Sequence, residues 1–573
     1  MSTLNHQNIS VWLKNMLERS DRTAVSYKDK KLNMWIHLSN KDYLQRIVYY
    51  HLLLTQKKGL PAGAKVALMS QTRWEWAAFD IAAIAGRQIV VPLYPNLTDE
   101  DVVYILNHCE ASFIVVDNEE KKQQVLRIQK QLNTTIEILV FDELDHLALA
   151  QDYQNINTEQ IQNLISTAEK LTPEDPITVI YTSGTTGQPK GVLMQHQALV
   201  SEIYEAFGLF EIGPDDTSLS FLPYAHVMGR IEHWGGCSKG YRLAFAESID
   251  SIKNNLIEIQ PQFLVAVPRI FEKIYAGILN KVETSTIKKK MFFQALNVAQ
   301  KMNYYRETKQ TAPLSLIAQF EVLSRLVFSP IKKAFGGQLR FAISGGAPLG
   351  KELGEFFSFL GIKILEGYGL TETFAAITVN TETNWQIGTV GKPIGDVDIK
   401  FDTDGEILVK SKKNLKEYYK NPEATAAAFV DGYFRTGDIG EFTSEGYLKI
   451  TDRKKDLIKT AGGKYVAPQK IEGLLKQEPL ISQVLVIGDQ KKYVSALISC
   501  EGNQEQKEDI LNKIHSQIQK VNSVLASYES VKRYEVVFEA WTVDNGSLTP
   551  SMKVKRKVLE KKYFEIIEKI YSS

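Results

Sequence analysis

Tyr181-Thr-Ser-Gly-Thr-Thr-Gly-Gln-Pro-Lys-Gly191 follows the apolar, strand-like run Ile177-Thr-Val-Ile180. Its eleven residues hold three glycines, one lysine and four aliphatic hydroxyls. A loop that holds phosphate needs this mixture. Gly184, Gly187 and Gly191 let a backbone approach an anion and adopt φ > 0. Thr182, Ser183, Thr185 and Thr186 supply O–H donors, and Lys190 supplies charge. Leu199, Ile203 and Phe207 then recur at helical spacing, which predicts a helix anchoring the loop. The P-loop order G-x-x-x-x-G-K-[ST] is not met, because Lys190 stands three residues beyond Gly187 and precedes Gly191. A Walker ATPase is therefore disfavoured. A flexible Ser/Thr/Gly linker is disfavoured too, since linkers rarely follow an apolar strand directly.

The chain has 573 residues, 44% hydrophobic and 24% charged, with a net charge of +1. This is the composition of a globular protein of several domains. Neither the charge nor any motif points to nucleic acid. Cys109, Cys237 and Cys500 are far apart, without metal-ligand or redox spacing, which fits a reducing cytoplasm. The first residues lack a basic-then-apolar leader pattern. No unbroken stretch of about eighteen apolar residues occurs, so no membrane span is expected. Peripheral contact with the cytoplasmic membrane face stays open.

From Lys65 to Asp117 apolar strands alternate with helices. Val66–Met69, Ile89–Val91 (ended by Pro92) and Phe113–Val116 read as strands; Trp74–Ala85 and Asp101–His108 read as helices. The pattern recurs at Phe263–Ala266 and Leu339–Ile343 and predicts an α/β fold with largely parallel, helix-covered sheets. Phe271–Phe335 reads as two or three helices. Its Lys288-Lys-Lys290 suits either anionic lipid or a solvated face. At Asp452-Arg-Lys-Lys-Asp456 the character changes to a dense charge run. Beyond it, strands at Ser482–Ile487 and Tyr493–Cys500 and helices at Gln506–Ala526 and Val558–Tyr571 predict a small mixed domain.

Further segments carry chemistry. Gly367-Tyr-Gly-Leu-Thr-Glu-Thr373 follows the strand-like Ile362–Leu365, at the strand end where open α/β sheets place ligands. Gly367 and Gly369 make the turn, Tyr368 could stack on a base, Thr371 could reach phosphate and Glu372 could hold Mg²⁺. Ser344-Gly-Gly-Ala-Pro-Leu349 makes a flat bend through Gly345, Gly346 and Ala347. Tyr433-Phe-Arg-Thr-Gly-Asp-Ile439 places Asp438 after a turn glycine. His226 follows an apolar run and a proline, where a structural role and a substrate role are both open.

The signature loop, together with these segments in their order, resembles the adenylate-forming, AMP-binding superfamily. Val267-Pro-Arg-Ile-Phe-Glu-Lys273, Gly462-Gly-Lys-Tyr-Val-Ala-Pro468 and Leu548-Thr-Pro550 resemble its long-chain fatty-acyl-CoA synthetase branch. The resemblance covers nearly the whole chain. It implies an N-terminal AMP-binding domain, residues 1–451, with a β-barrel-like subdomain, and a mobile α+β C-terminal domain, residues 452–573. It implies ATP on Thr182–Gly187 and Lys190, with Thr185 and Glu372 at Mg²⁺. Gly345, Gly346, Ala347 and Tyr368 would line the adenine pocket, Asp438 would hold the ribose and Arg453 would contact the nucleotide. The hinge falls in the Asp452–Lys455 neighbourhood, with Lys455 favoured. Gly462 and Gly463 would border the pantetheine channel of CoA, His226 the acyl site, and Lys553 would be the adenylation catalyst. Lys416-Glu-Tyr-Tyr419 departs from the usual Gly-Tyr-Tyr; lying far from the ATP motifs in sequence, it is expected to affect only local turn geometry.

The implied reaction joins a long-chain fatty acid to ATP as acyl-AMP, then to the thiol of CoA. Three alternatives stand beside it: acyl carrier protein as the acceptor, a luciferase-like oxidation, and a silent nucleotide- or lipid-binding homologue. Intact Thr185, Glu372, Asp438, Arg453 and Lys553 argue against the last.

Overall fold

The computed structural model describes residues 8–29, 31–146, 148–182, 188–308, 310–478, 480–500, 507–543, 545–549 and 553–572. Two large sheets dominate. One has nine strands in the order Lys392–Pro393, Ala375–Val379, Lys363–Leu370, Phe341–Ser344, Phe263–Ala266, Thr217–Ser220, Arg242–Phe245, Thr23–Asp29 and Met34–Ser39. It is parallel within and antiparallel at both edges. The other runs Glu417–Tyr418, Lys190–Gln195, Pro176–Thr182, Ile89–Leu93, Lys65–Met69, Phe113–Val116, Glu137–Val140, and its last five strands are parallel.

One continuous apolar core joins the two sheets. Trp74–Ala85 is buried at every position, as a helix covered on all sides must be. Its Asp80 meets Arg230 of the helix Val227–Lys239 in a two-pronged ion pair, Nη2–Oδ1 2.6 Å and Nε–Oδ2 3.2 Å. Arg230 Nη1 also donates to Thr178 Oγ1 at 2.8 Å, so the pair ties both helices to the strand that leads into the signature loop.

The subdomain expected to be barrel-like is a five-stranded antiparallel sheet, Asp398–Phe401, Glu406–Lys410, Tyr433–Phe442, Phe429–Val430 and Leu448–Arg453. Among the described residues its outer strands do not pair with one another, so it is open. The C-terminal part has a hairpin (Ile458–Lys459, Tyr465–Val466) and a three-stranded sheet (Gln483–Ile487, Ser495–Ser499, Arg533–Val537) with its own cores.

Three local expectations differ. The strand at Ile89 runs through Pro92 to Leu93, where pairing with Pro176–Thr182 has already ended at Val90↔Thr178. The C-terminal helix breaks at Tyr563 into Arg556–Lys562 and Phe564–Ser572, because the Tyr563 hydroxyl is held by Trp541 Nε1 at 3.1 Å and Glu539 Oε2 at 2.7 Å. Helix Leu314–Leu323 continues through a wider π-type turn, Ser324–Phe328, into Ser329–Lys333. The resulting Leu314–Lys333 run has 20 residues and contains an 18-residue window of mean hydropathy 1.4, by length and composition enough to cross a membrane. Glu321 and Arg325 interrupt it, so no unbroken apolar stretch marks it in the sequence.

Candidate active site

The strands that flank the signature loop are partners. Strands Pro176–Thr182 and Lys190–Gln195 pair antiparallel, with Thr182 opposite Lys190. The expected helix, His196–Glu205, begins only after the second strand, and Phe207 lies beyond it. Ser183, Gly184, Thr185, Thr186 and Gly187 lie outside the described residues. Gly191 serves packing and not an anion: a Cβ there would stand 2.8 Å from Val179 Cγ1 and 3.1 Å from the Tyr181 ring. Lys190 is exposed, its ammonium 4.8 Å from the centre of the Tyr418 ring.

Tyr418 connects the hairpin to the proposed metal ligand. Its backbone pairs with Val192, and its hydroxyl donates to Glu372 Oε1 at 3.1 Å. Leu415 N donates to the Glu372 carbonyl at 2.6 Å. The segment Lys416–Tyr419, distant in sequence from the ATP motifs, is thus the strand beside the signature hairpin, and Glu417 sits in that pairing. Sequence distance misjudged it. Burial raises the pKa of Glu372, opposed by the Tyr418 hydrogen bond and the charge of Arg453. Among the described residues Glu372 makes no ion pair, and a half-buried carboxylate without a cation suits a hard divalent ion. Mg²⁺ therefore fits here.

The turn that carries Glu372 is strained. Phe374 and Ala375 have φ of +51° and +80°, which side-chain-bearing residues seldom adopt. Gly369 allows it, since a Cβ there would lie 1.5 Å from Ala375 O. Two fully buried side chains grip the far end. Ala376 N donates to Glu202 Oε1 at 3.1 Å, and Lys413 Nζ donates to Ala376 O at 2.5 Å. Lys413 Nζ also stands 3.2 Å from Glu202 Oε2 and 3.7 Å from Glu205 Oε2.

Three of the residues expected at the nucleotide converge. Tyr368 Oη donates to Asp438 Oδ2 at 2.6 Å, and Arg453 Nε donates to Asp438 Oδ1 at 3.2 Å. Asp438 and Arg453 are cross-strand partners. Burial raises the Asp438 pKa while Arg453 pulls it down. The bend after Phe341–Ser344 is held from below: Glu366 Oε2 accepts from Leu349 N at 3.0 Å, and burial lifts this carboxyl to about 7. Gly346 there has φ +81°, and Gly346 and Ala347 are exposed. A Cβ on Gly345 would meet Met228 Sδ at 3.3 Å and Gly367 O at 3.5 Å, so Met228 and the Gly367 turn flank the bend.

His226 caps helix Val227–Lys239, its Nδ1 accepting from Met228 N at 3.2 Å. The ring proton is thereby placed on Nε2. Burial and the charge of Lys553 lower its pKa to about 4, so the ring is neutral at neutral pH. Lys553 comes from the C-terminal part. Its backbone is pinned to Thr549 by N→Oγ1 at 3.0 Å and by Thr549 N→O at 2.7 Å. The side chain is accessible to solvent, yet protein atoms crowd the crevice around it. That crowding and Arg453 lower its pKa, while Asp438 and Asp456 oppose the shift. Lys553 therefore lies within electrostatic reach of Asp438 and Arg453.

The charge run starts inside a strand, since Leu448–Arg453 includes Asp452 and Arg453. Buried Asp452 accepts from Arg453 N at 2.5 Å, and burial raises its pKa to about 7. Lys454 reaches Asp404 at 2.5 Å and Glu406 at 2.8 Å, whereas Lys455 is exposed. Gly462 and Gly463 are exposed in the turn of the Ile458–Val466 hairpin, Gly463 with φ +76°.

Known proteins are similar to this chain. The model of the AMP-binding enzyme family matches residues 13–419, and that of the AMP-binding enzyme C-terminal domain matches residues 455–573. The long-chain-fatty-acid–CoA ligase FadD15 of Mycobacterium tuberculosis is 33% identical over 97% of this chain and 96% of its own length. Long-chain-fatty-acid–CoA ligase 5 of Rattus norvegicus is 29% identical over 94% of this chain and 84% of its own. Among solved structures, the adenylation domain of the carboxylate reductase of Mycobacterium chelonae superposes with a TM-score of 0.77 at 23% identity, covering 99% of this chain and 91% of that one. By its sequence and its fold, the chain belongs to the AMP-binding enzyme family.

Proposed function

We propose that this chain is an acid–thiol ligase that converts a long-chain fatty acid and ATP into acyl-AMP and pyrophosphate, and acyl-AMP and CoA into acyl-CoA and AMP. One observation carries the reading: Lys553 of the C-terminal part lies within electrostatic reach of Asp438 and His226 of the larger part and of Arg453 at the boundary between the two. In the first step a carboxylate oxygen bonds to the α-phosphorus as the bond to pyrophosphate breaks. Lys553, a compact positive charge, offsets negative charge on the reacting carboxylate and α-phosphate. Asp438 accepts ribose hydroxyls, and Arg453 orients Asp438. Lys190 and the signature hydroxyls take the β- and γ-phosphates. Bound at Glu372 and Thr185, Mg²⁺ would supply charge neutralisation to the phosphates. His226, neutral, offers an Nε2–H donor beside the acyl carboxylate. In the second step the CoA sulfur attacks the acyl carbon, AMP leaves and the thiol proton passes to solvent.

The catalytic lysine must withdraw before the thiol enters. We assign the larger domain to residues 1–451 and the moving one to 452–573, with Lys455 at the hinge. The run that carries it loses strand pairing after Arg453, and Lys455 itself is exposed. Gly462 and Gly463 would turn toward the thiol channel in the second state. ATP and CoA as co-substrates suit a cytoplasmic enzyme, and a lipid acid suits peripheral contact with the cytoplasmic membrane face.

The test is AMP release from Mg·ATP and hexadecanoate, run with CoA and with holo acyl carrier protein in parallel. Turnover with CoA supports the ligase. Turnover only with the carrier changes the acceptor, and silence with both removes the long-chain reading.

A further inference from the structure

The helix Leu314–Lys333 leaves a large apolar surface open. Leu314 is 84% exposed, Val322 57% and Leu326 58%, and Ala318 between them is exposed as well. These four positions recur every fourth residue, so they form one outward stripe. The other side is anchored: Leu323 and Phe328 are buried in the main core, and the helix packs along Thr286–Glu307. Leaving the domain to span a bilayer would expose both anchors, so the helix is built to lie on a surface.

Charge around the stripe is one-sided. From Lys281 to Lys333 the sequence has ten basic residues against three acidic ones, although the whole chain is nearly neutral. Lys288, Lys289 and Lys290 are exposed at the start of the neighbouring helix, Arg325 lies on the run itself, and Lys332 and Lys333 close it. An outward apolar stripe flanked by lysines is what an anionic bilayer surface receives: apolar side chains enter the acyl boundary and cations meet the headgroups. Monomeric proteins seldom leave such a patch without a use.

We propose that the Leu314–Lys333 helix, with the adjoining Lys288–Lys290, is the site by which this protein docks on an anionic membrane surface. The proposal deepens the fatty-acid reading, since a long-chain acid resides in lipid. The docking itself is measured without ATP, acid or CoA, so its failure is distinguishable from failure of the enzymatic reading.

The experiment is co-sedimentation with vesicles of phosphatidylcholine plus phosphatidylglycerol, and with phosphatidylcholine alone. The full chain is compared with the triple variant Leu314→Gln/Val322→Gln/Leu326→Gln and with Lys288→Gln/Lys289→Gln/Lys290→Gln. Because all six side chains are exposed, the thermal midpoint should stay that of the wild type. The wild type should bind the anionic vesicles, and each variant should bind at least about tenfold more weakly, given the value of a buried aliphatic side chain or a juxtamembrane lysine. Failure of the wild type to sediment overturns the proposal, as does undiminished binding by the apolar variant. It is equally overturned if the stripe proves a self-association face, read as a wild-type dimer in ultracentrifugation that the apolar variant abolishes, or if the variant loses only an acidic carrier protein and keeps the vesicles.

Discussion

Replacing Lys413 with methionine removes the cation that, alone among the described residues, pairs with Glu202 at a place with no solvent. Both side chains are fully buried, with Nζ 3.2 Å from Glu202 Oε2. After the substitution Glu202 keeps, among the described residues, the Ala376 N–H on its other oxygen. Breaking one side of such a pair costs about 3–5 kcal/mol, because the remaining charge stays desolvated. Removing both charges in Glu202→Gln/Lys413→Met should return the protein to within about 1 kcal/mol of wild type. The pH dependence gives a second signature. Burial already raises the Glu202 pKa, and losing Lys413 raises it further. Between its unfolded and folded pKa the native state then binds more protons than the unfolded state, so stability falls as pH rises. The single-variant deficit should therefore be greater at alkaline than at acidic pH. Urea midpoints of wild type, single and double variants read all three. Lys413 also donates to Ala376 O, at the end of the strained turn behind Glu372, so the folded fraction of Lys413→Met should need more Mg²⁺ for half-maximal adenylation. The reasoning is refuted if Lys413→Met lies within about 1 kcal/mol of wild type, or if the double variant is no more stable than the single one.

Lys553→Ala should nearly abolish acyl-AMP formation while thioester formation from supplied acyl-AMP persists; equal loss in both half-reactions refutes its role. Lys455→Pro should spare adenylation more than thioester formation, and if both rates stay unchanged the hinge lies elsewhere. His226 has a folded pKa near 4, below its unfolded value of about 6.5, so its contribution to stability is present above the unfolded value and fades as pH falls toward 4. NMR of the ring should show no titration above about pH 5.5, and a midpoint near 6.5 would remove the burial argument. Gly369→Ala should lower the yield of folded protein sharply, because Ala375 O occupies the place of the new methyl group; a wild-type melting curve for that variant would mean that the turn relaxes freely.

Motifs whose residues are neighbours in the chain were readable in advance. Asp438, Arg453 and Tyr368 do meet, and strands such as Lys65–Met69 and Phe263–Ala266 lie where apolar runs of strand length put them. The supports of the site were not readable. Glu202 and Lys413 are 211 residues apart in the chain, and nothing local distinguishes either from a surface charge. Tyr418 and Glu366 act through single contacts that only tertiary packing creates. Glycine was misread in kind: composition suggests anion approach at Gly191, whereas the strand partner's side chains explain it. The membrane-length helix escaped because Glu321 and Arg325 interrupt its apolar run, and the break at Tyr563 escaped because Trp541 and Glu539, which hold the Tyr563 hydroxyl, lie upstream in the chain.

Asp438 and Arg453 face each other across one pair of strands, and the chain leaves that sheet immediately afterwards. Any swivel beginning beyond Arg453 takes Lys553 with it and leaves this clasp behind. On the proposed assignment, the handle that would hold the sugar and the tool that would work on the phosphate are mounted on opposite sides of the pivot. Such a machine can change tools between its two tasks without setting down the workpiece, and AMP should be the last product released.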